Sequence, residues 1–192
     1  MARSSLSDIL VVAATEQELA PSGGWRTLVC GVGPVDAAAA TAAAIATARP
    51  RAIVHVGIAG ARRASGLTPP AVVVGTEAIY CDLEVPTRFA PHRLTAVEAL
   101  VDAAMRAVPT AVRRAIGTGG RVGHTRGCEV EAMEGFAVLR AAALAGVPAV
   151  EVRAIANAIE DTDRALWQFD EAFAAVHAVT PALVREVAAC VS

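Results

Sequence analysis

The chain has 192 residues, of which 55% are hydrophobic and 19% are charged, and its formal net charge at pH 7 is −2. This length suffices for one α/β domain with a sizeable core, and the composition excludes an intrinsically disordered chain. No basic cluster stands out along the chain, which argues against a nucleic-acid partner.

Neither the apolar runs nor the cysteines indicate a membrane or a metal. The longest apolar run, residues 37–48, is alanine-rich and too short to cross a bilayer, so we expect no membrane partner. The N-terminus lacks the pattern of a signal peptide. The four cysteines are scattered and lack CxxC spacing, so we expect no metal site, reduced thiols and a cytoplasmic location.

Short apolar runs alternate with helical patterns along the chain. Predicted strands cover residues 8–13, 27–30, 52–56, 71–74 (with a continuation towards residue 80 left open), 115–117 and 149–155. Predicted helices cover residues 34–48, 94–108 and 131–145, and two helical pieces end the chain, the second starting at Thr180-Pro181. This alternation predicts an α/β fold, a single domain over residues 1–192 with a central, mostly parallel mixed sheet flanked by helices.

A Gly-Val-Gly-Pro turn at residues 31–34 joins a predicted strand to the first helix. Such a turn can hold an anion or a sugar against a helix N-terminus. It is not a dinucleotide fingerprint, because Asp36 occupies the position of the third glycine, and no Gly-Lys-Ser/Thr follows to make it a P-loop. An ordinary tight strand-to-helix turn explains the pattern equally well.

Thr15 and Glu18 follow the first predicted strand. Their spacing forms a capping box, and on spacing alone a helix start is the favoured interpretation. The alternative is functional, because α/β proteins bind ligands at the carboxyl ends of parallel strands. The Gly-Ile-Ala-Gly run at residues 57–60 also follows a strand, and its small residues would let a ligand approach the backbone.

Glu134 begins an otherwise apolar predicted helix, and Asn157 stands just past a predicted strand. A carboxylate in apolar surroundings is costly without a partner, so Glu134 is a ligand-binding group, a partner of the helix dipole or half of a core ion pair. Asn157 is equally well explained as a turn residue. Glu151 and Arg153 lie on one face of their strand and are expected to form a structural pair.

Other polar and aromatic residues give weaker signals. Tyr80 and Trp167 are expected to be packing anchors. The histidines show no catalytic-triad spacing, and His124, in a glycine-rich loop, is the one histidine that we regard as a candidate. No serine lies in a Gly-x-Ser-x-Gly elbow.

Taken in order, these pieces resemble the nucleoside phosphorylase and nucleosidase superfamily. The resemblance spans nearly the whole chain, at residues 9–18, 31–35, 56–60, 72–77, 80–82, 133–135 and 152–157. Within the superfamily the chain is most similar to the futalosine hydrolase branch. That similarity lies in Val-Glu-x-Met-Glu-Gly at residues 130–135, in Arg-Ala-Ile-x-Asn at residues 153–157 and in residues 161–167.

The resemblance implies a nucleoside phosphorylase-like fold and a nucleosidase without metal or organic cofactor. The implied reaction hydrolyses the N-glycosidic bond of futalosine, in menaquinone biosynthesis, and releases hypoxanthine and dehypoxanthine futalosine. The implied catalytic residues are Glu18, which would activate water, and Asn157, which would face the purine. The implied substrate-binding residues are Glu134 at the ribose hydroxyls, Met133 against the sugar, Ala59, Gly60 and Val32 around it, and Phe89 or Phe136 as an aromatic contact for the base.

The resemblance also implies a nucleoside as partner and a homodimer or higher homo-oligomer. A neighbouring subunit would close the pocket with residues 84–89, in which Arg88 would pair with an acidic aromatic substituent. An amide at Asn157 favours a 6-oxopurine, and Ile58 cannot donate the hydrogen bond with which phosphorylases hold phosphate. Three alternatives stay open: a methylthioadenosine/adenosylhomocysteine nucleosidase, a purine nucleoside phosphorylase and an inactive nucleoside-binding protein.

Overall fold

Runs rich in valine and isoleucine pair into one mixed sheet, and alanine-rich segments between them form helices that cover it. A computed structural model describes residues 5–125 and 127–191. The strands are β1 (Ile9–Ala13), β2 (Arg26–Val29), β3 (Ala52–Ala61), β4 (Val72–Tyr80), β5 (Arg93–Thr95), β6 (Val112–Thr118), β7 (Val130–Ala132) and β8 (Ala149–Ala158). The helices are α1 (Pro34–Ala48), α2 (Glu98–Ala107), α3 (Gly135–Leu144) and α4 (Phe169–Cys190).

The sheet is mostly parallel, as predicted. Parallel pairs join β1 to β2 and β3, β3 to β8, β4 to β6 and β6 to β7. Antiparallel pairs join β3 to β7, β4 to β5 and β4 to β8. The pairs β3–β7–β6–β4–β8–β3 close a ring of strands, and β1 and β2 extend the sheet beyond β3. Because β1, β2, β3 and β8 run parallel, their carboxyl ends meet at one edge.

Core clusters lie on both faces of the sheet, because successive side chains of a strand point to opposite faces. A third cluster is formed by residues of β3, β4, β6, β7 and β8. Along β1, Ile9 and Val11 pack in the layer formed with α2 and α4, whereas Leu10 and Val12 pack in the layer formed with α1 and α3. All four side chains are buried. The helices therefore cover both faces of the sheet and leave the carboxyl ends of its strands free for a site.

Several predicted elements have wrong bounds, because strand pairing continues further than the sequence pattern showed. The strand β6, predicted at residues 115–117, covers Val112–Thr118. The helix predicted at residues 94–108 begins only at Glu98, since Leu94 pairs with Ala78 across β5 and β4. The helix predicted at residues 131–145 begins at Gly135, since β7 precedes it and pairs with β3 and β6. The strands β3 and β8 are longer than predicted, so the Gly-Ile-Ala-Gly run and Asn157 lie inside strands.

The last helix, α4, is continuous, although the sequence predicted two pieces that break at Thr180-Pro181. The Thr180 hydroxyl donates to the Val176 carbonyl at 2.7 Å. Burial continues on both sides of the proline, at Val176 and Leu183, and outweighs a proline cost of about 3 kcal/mol. By length and composition α4 is also the one helix in the described part of the chain that could span a membrane, and here it packs against β3 and β8.

Candidate active site

A cavity of ≈ 370 Å³ opens where the parallel strands end. Its size suits a small organic ligand. Seven of the predicted site residues line it: Glu18 after β1, Val32 after β2, Ala59 and Gly60 in β3, Met133 and Glu134 before α3, and Asn157 in β8. The structure thus brings side chains from distant segments of the chain to one place.

Phe136 and Phe89, the two remaining predicted residues, do not line this cavity. Phe136 faces the core between α1 and α3 and stacks on Tyr80, with ring centroids 5.3 Å apart, and its role as a substrate contact stays a prediction. Phe89 is 71% exposed, and the Arg88 guanidinium lies 4.5 Å from the centre of its ring. A contact from Phe89 to the cavity of a neighbouring subunit stays a prediction.

The Glu18 carboxylate is buried and fixed by three donors. Oε2 accepts from the N–H and from the hydroxyl of Thr15, both at 3.0 Å, which is the reciprocal bond of the predicted capping box. Oε1 accepts from the N–H of Ile58 at 3.0 Å. A carboxylate has about four lone-pair positions, so one position remains for a further donor such as a water molecule. Glu18 is therefore a cap whose side chain also faces the cavity.

Glu134 is the N-cap residue of α3, yet its side chain turns away from that helix. Oε1 accepts from the N–H of Gly33 at 3.0 Å, and Oε2 lies 3.6 Å from Arg153 Nη2. Gly33 has φ +93° and is the N-cap of α1, so the Gly-Val-Gly-Pro turn presents its N–H to a carboxylate of the same chain. Burial raises the pKa of Glu134, while Arg153 and the Gly33 N–H oppose that rise.

Arg153 lies behind the cavity and is almost completely buried. Its Nε donates to Glu151 Oε1 at 2.8 Å, which confirms the predicted pair. A Cβ atom on Gly57 would collide with both Arg153 Nη1 and Glu18 Oε1, so the guanidinium and that carboxylate meet in the space that the missing side chain of Gly57 leaves. Arg153 is thus the common counter-ion of Glu18, Glu134 and Glu151, and burial raises the pKa of Glu151 against its attraction.

His55 completes this buried network, and sequence reasoning missed it. Its Nδ1 donates to the Val12 carbonyl at 3.0 Å, because a carbonyl can only accept. Its Nε2 then presents a lone pair to Arg153 Nη2, which can only donate. Burial and the charge of Arg153 lower the pKa of His55 well below its ordinary value, so the ring is neutral. His124, the candidate taken from the sequence, is exposed and does not line the cavity.

Known protein families include relatives of this chain. A model of the phosphorylase superfamily matches residues 26–190. The chain belongs to the phosphorylase superfamily. The futalosine hydrolase of Streptomyces coelicolor is 35% identical to this superfamily member, in a match that covers 80% of this chain and 75% of that protein.

Solved structures of the superfamily share the fold. The 5′-methylthioadenosine/S-adenosylhomocysteine nucleosidase of Colwellia psychrerythraea, in complex with adenine, has a TM-score of 0.82 at 20% identity and covers 93% of this chain and 94% of its own. The corresponding nucleosidase of Neisseria meningitidis, with methylthio-immucillin-A, has a TM-score of 0.77 at 25% identity, with 94% and 98% covered. The futalosine hydrolase of Helicobacter pylori has a TM-score of 0.79 at 14% identity, with 93% and 97% covered. These solved structures are nucleosidases, and they confirm the predicted fold. The family model and the relative from Streptomyces coelicolor confirm the predicted superfamily.

An aromatic wall, formed by Trp167, Phe169 and Phe173, lines one side of the cavity in this superfamily member. The ring centroids of Trp167 and Phe169 are 5.4 Å apart, and those of Phe169 and Phe173 are 6.1 Å apart. The Trp167 Nε1–H donates to the Asp161 carbonyl at 2.9 Å. Trp167 is thus packed against its neighbours, as expected, and it also lines the cavity. The signal was three aromatic residues close together at the start of α4.

The loop at residues 119–125 forms another side of the cavity. The Glu131 carboxylate accepts from the Gly123 N–H and from the Thr125 hydroxyl, each at 2.6 Å. These bonds bring Arg121 to the cavity rim. Sequence reasoning placed Glu131 in a helix, and its position in β7 is what lets it hold this loop.

Proposed function

We propose that the protein hydrolyses the N-glycosidic bond of futalosine and releases hypoxanthine and dehypoxanthine futalosine, a step of menaquinone biosynthesis. The observation that carries the proposal is the meeting of Glu18, Glu134 and Asn157 around one nucleoside-sized cavity. The similarity to the futalosine hydrolase of Streptomyces coelicolor supports this choice of nucleoside.

Glu18 is the proposed general base. Cleavage of a glycosidic bond passes through an oxocarbenium-like state, which water then captures. The donors on Glu18 leave about one acceptor position open, from which the carboxylate can take a proton from water. The Arg153 guanidinium lies close to this carboxylate, in the space that the missing side chain of Gly57 leaves, and attracts it towards that position.

Glu134 is the proposed ribose-binding group. Two vicinal hydroxyls present paired donors, and a carboxylate offers matching acceptors. Gly33 and Arg153 hold the Glu134 carboxylate from two sides, so it is oriented before the sugar arrives. Met133, Ala59 and the other small lining residues would then surround the sugar.

Asn157 is the proposed contact to the base. Its Nδ2 donates to the Ala158 carbonyl at 2.9 Å, which leaves one N–H and Oδ1 for a ligand. A 6-oxopurine offers acceptors at O6 and N7 to that N–H. A Cβ atom on Gly60 would lie 3.2 Å from Asn157 Nδ2, so the missing side chain leaves space beside the amide. Buried polar groups left unpaired penalise the wrong base, and this favours hypoxanthine as the leaving group.

Water is favoured over phosphate as the second substrate. The side chain of Ile58 offers no donor, and its backbone N–H already binds Glu18. The Glu18 and Glu134 carboxylates would repel a phosphate dianion at the inner end of the cavity.

We propose that the active form is a homodimer or a higher homo-oligomer in the cytoplasm. Val35 and Leu144, on α1 and α3, are 78% and 71% exposed beside an apolar groove, as expected for a surface that another subunit covers. Val32 lines the cavity, and Pro34 and Val35, which follow it closely in the chain, line the groove. A subunit docked on the groove would therefore also border the site. The free cysteines suit a reducing compartment. Light scattering after size exclusion tests the assembly, and cell fractionation tests the location.

The function is tested by measuring hypoxanthine release from futalosine and inosine, and adenine release from methylthioadenosine, with and without phosphate. The proposal expects futalosine to be the best substrate and phosphate to have no effect on its rate. Preference for methylthioadenosine would favour the first alternative enzyme, and a phosphate requirement would favour a phosphorylase. Tight binding of hypoxanthine without turnover of any nucleoside would indicate an inactive binding protein.

A further inference from the structure

We propose that Arg164 and Arg121, at the rim of the cavity, form an anion-binding subsite that selects nucleosides whose 5′ substituent is a negatively charged arene. This inference rests on the proposed function, because it assumes that a nucleoside occupies the inner end of the cavity. It adds the residues that recognise the substituent.

The charges of the cavity are arranged from inside to outside. The inner end has the buried carboxylates of Glu18 and Glu134, whose counter-ion is Arg153. The rim has Arg121 and Arg164, both exposed. In the ranges that the structure describes, neither rim arginine forms an ion pair. Unpaired cations at the mouth of a cleft attract anionic ligands.

The carboxylates near Arg164 are already bound to other groups. Asp161 pairs with Arg63. Asp163 accepts from the Ala165 N–H at 2.9 Å through Oδ1 and caps the short turn Arg164–Leu166. Neither of these carboxylates therefore pairs with the Arg164 guanidinium. It can bind the carboxylate of a ligand through two parallel N–H groups.

The wall beside Arg164 is suited to an arene. The Arg164 guanidinium lies 5.5 Å from the centre of the Trp167 ring, which fixes the charge over an aromatic face. Trp167, Phe169 and Phe173 continue this surface into the cavity. An aromatic ring of the ligand gains offset-stacked or edge contacts here, whereas a bare phosphate gains none.

The position on the nucleoside follows from its chemistry. If Glu134 binds the 2′ and 3′ hydroxyls and Asn157 faces the base on C1′, C5′ is the carbon that remains free to carry a substituent. The segment with Arg164 follows Asn157 directly in the chain and is tethered back to β8, because the Gln168 N–H donates to the Ala156 carbonyl at 2.8 Å. The aromatic wall and Arg164 therefore lie at the outer end of the cavity, beyond the groups proposed to hold the ribose and the base.

The rim arginines offer a second possible partner for the acidic substituent that the family resemblance paired with Arg88 of a neighbouring subunit. The Arg88 guanidinium stacks on Phe89 and does not line the cavity of its own subunit. Arg164 and Arg121 do line it, so a positive partner for an acidic substituent is available within one chain.

The test uses an acid and its neutral ester as matched ligands. Futalosine has an acidic arene on its 5′ carbon, its methyl ester has the same arene without charge, and inosine has neither. Binding is measured by calorimetry in the background of Glu18→Gln, so that hydrolysis does not consume the ligands. The variants are Arg164→Gln, Arg121→Gln and the double variant. Arg185→Gln is the matched control, since Arg185 is exposed on α4 and does not line the cavity.

We expect the background protein and the Arg185→Gln control to bind the acid at least about tenfold more tightly than the ester, as for a charge-assisted pair. In the double variant the ratio of affinity for the acid to affinity for the ester should fall to about one. Affinity for the ester and for inosine should change less than about threefold. Equal binding of acid and ester by the background protein overturns the subsite. So does an equal loss for all three ligands in the double variant, which would indicate a structural role.

Turnover by the unaltered Glu18 enzyme separates this inference from the proposed function. If futalosine is not hydrolysed but the acid is still preferred over the ester, the function fails and the subsite stands. If futalosine is hydrolysed with no preference, the subsite fails and the function stands. If inorganic phosphate speeds hypoxanthine release and the double variant loses that effect, the rim arginines bind phosphate and the proposal is wrong.

Discussion

Arg153 and Glu134 form an ion pair, with Nη2 3.6 Å from Oε2, although both side chains are at most 5% exposed. Arg153 is also bonded to Glu151 and lies against Glu18, so one guanidinium serves several buried carboxylates. Each carboxylate depends on the same cation for its orientation. The same contacts therefore stabilise the folded protein and orient the carboxylates of the site. Substitution of a residue in this buried network should affect both stability and activity.

Replacement of Arg153 by methionine should destabilise the protein by about 3–5 kcal/mol, because Glu151 would be left buried without its partner. Replacement of both Arg153 and Glu151 by methionine should recover a large part of that loss, since no unpaired charge remains between them. Urea unfolding gives both free energies. As control, Arg113→Met breaks exposed pairs with Glu98 and Asp102 and should cost about 0–1 kcal/mol. A loss as small as the control's for Arg153→Met would contradict the buried network.

His55 should make the protein acid-sensitive. Its pKa in the folded state lies well below its ordinary value, so the unfolded chain takes up a proton that the folded chain refuses. The stability from neutral His55 is therefore present above about pH 6.5 and is lost by about 1.4 kcal/mol per pH unit as the pH falls below it. His55→Asn, whose amide does not titrate, should lack this loss.

To test this, the free energy of unfolding by urea is measured for the unaltered protein and for His55→Asn between pH 7.5 and pH 5. This range brackets the pKa of about 6.5 that histidine has in the unfolded chain. Burial raises the pKa of Glu134 and of Glu151, so protonation of these groups stabilises the folded state as the pH falls. That opposite contribution is common to both proteins and cancels in their difference. Parallel pH profiles would show that His55 is not held neutral.

Glu18→Gln should lower the turnover number for futalosine by about 10²–10⁴-fold, the range for loss of a general base. The amide keeps one acceptor for Thr15 or Ile58, so the variant should remain folded. Hypoxanthine release gives the rate, and circular dichroism with thermal unfolding checks the fold. Glu16→Gln, in the same turn but exposed, is the control and should retain full activity. Activity of Glu18→Gln within threefold of the control would show that Glu18 serves only as part of the capping box and not as the general base.

The sequence was sufficient for most strands of the sheet and for its mostly parallel order, because those signals are local, and the family resemblance supplied seven of the lining residues. A buried parallel strand is a short apolar run, and a site residue at its end is the next polar residue in the chain. Glu18 shows the limit of this reasoning. The capping box was readable from spacing, but the bond from the Ile58 N–H to Glu18 joins residues forty positions apart.

The missed features depend on packing between distant segments. His55 looks like a lone histidine in an apolar strand until Arg153, from β8, is placed beside it. The continuity of α4 through Pro181 depends on a buried face that only the folded sheet provides. Trp167 looked like a core residue because burial and cavity lining give the same apolar signal in sequence.

Asn157→Asp should move base preference from hypoxanthine towards adenine. A carboxyl group can accept from the 6-amino group of adenine and, when protonated, donate to a ring nitrogen, whereas it lacks the amide N–H that suits O6. We expect the ratio of kcat/KM for inosine to that for adenosine to fall by at least about tenfold, since a buried polar group left unpaired costs about 1–3 kcal/mol. Both substrates are assayed on one preparation of the variant, so any loss of folded protein cancels in the ratio. An unchanged ratio would show that Asn157 does not recognise the base. The loop bound by Glu131, which lines the same cavity, would then be the next candidate for base recognition.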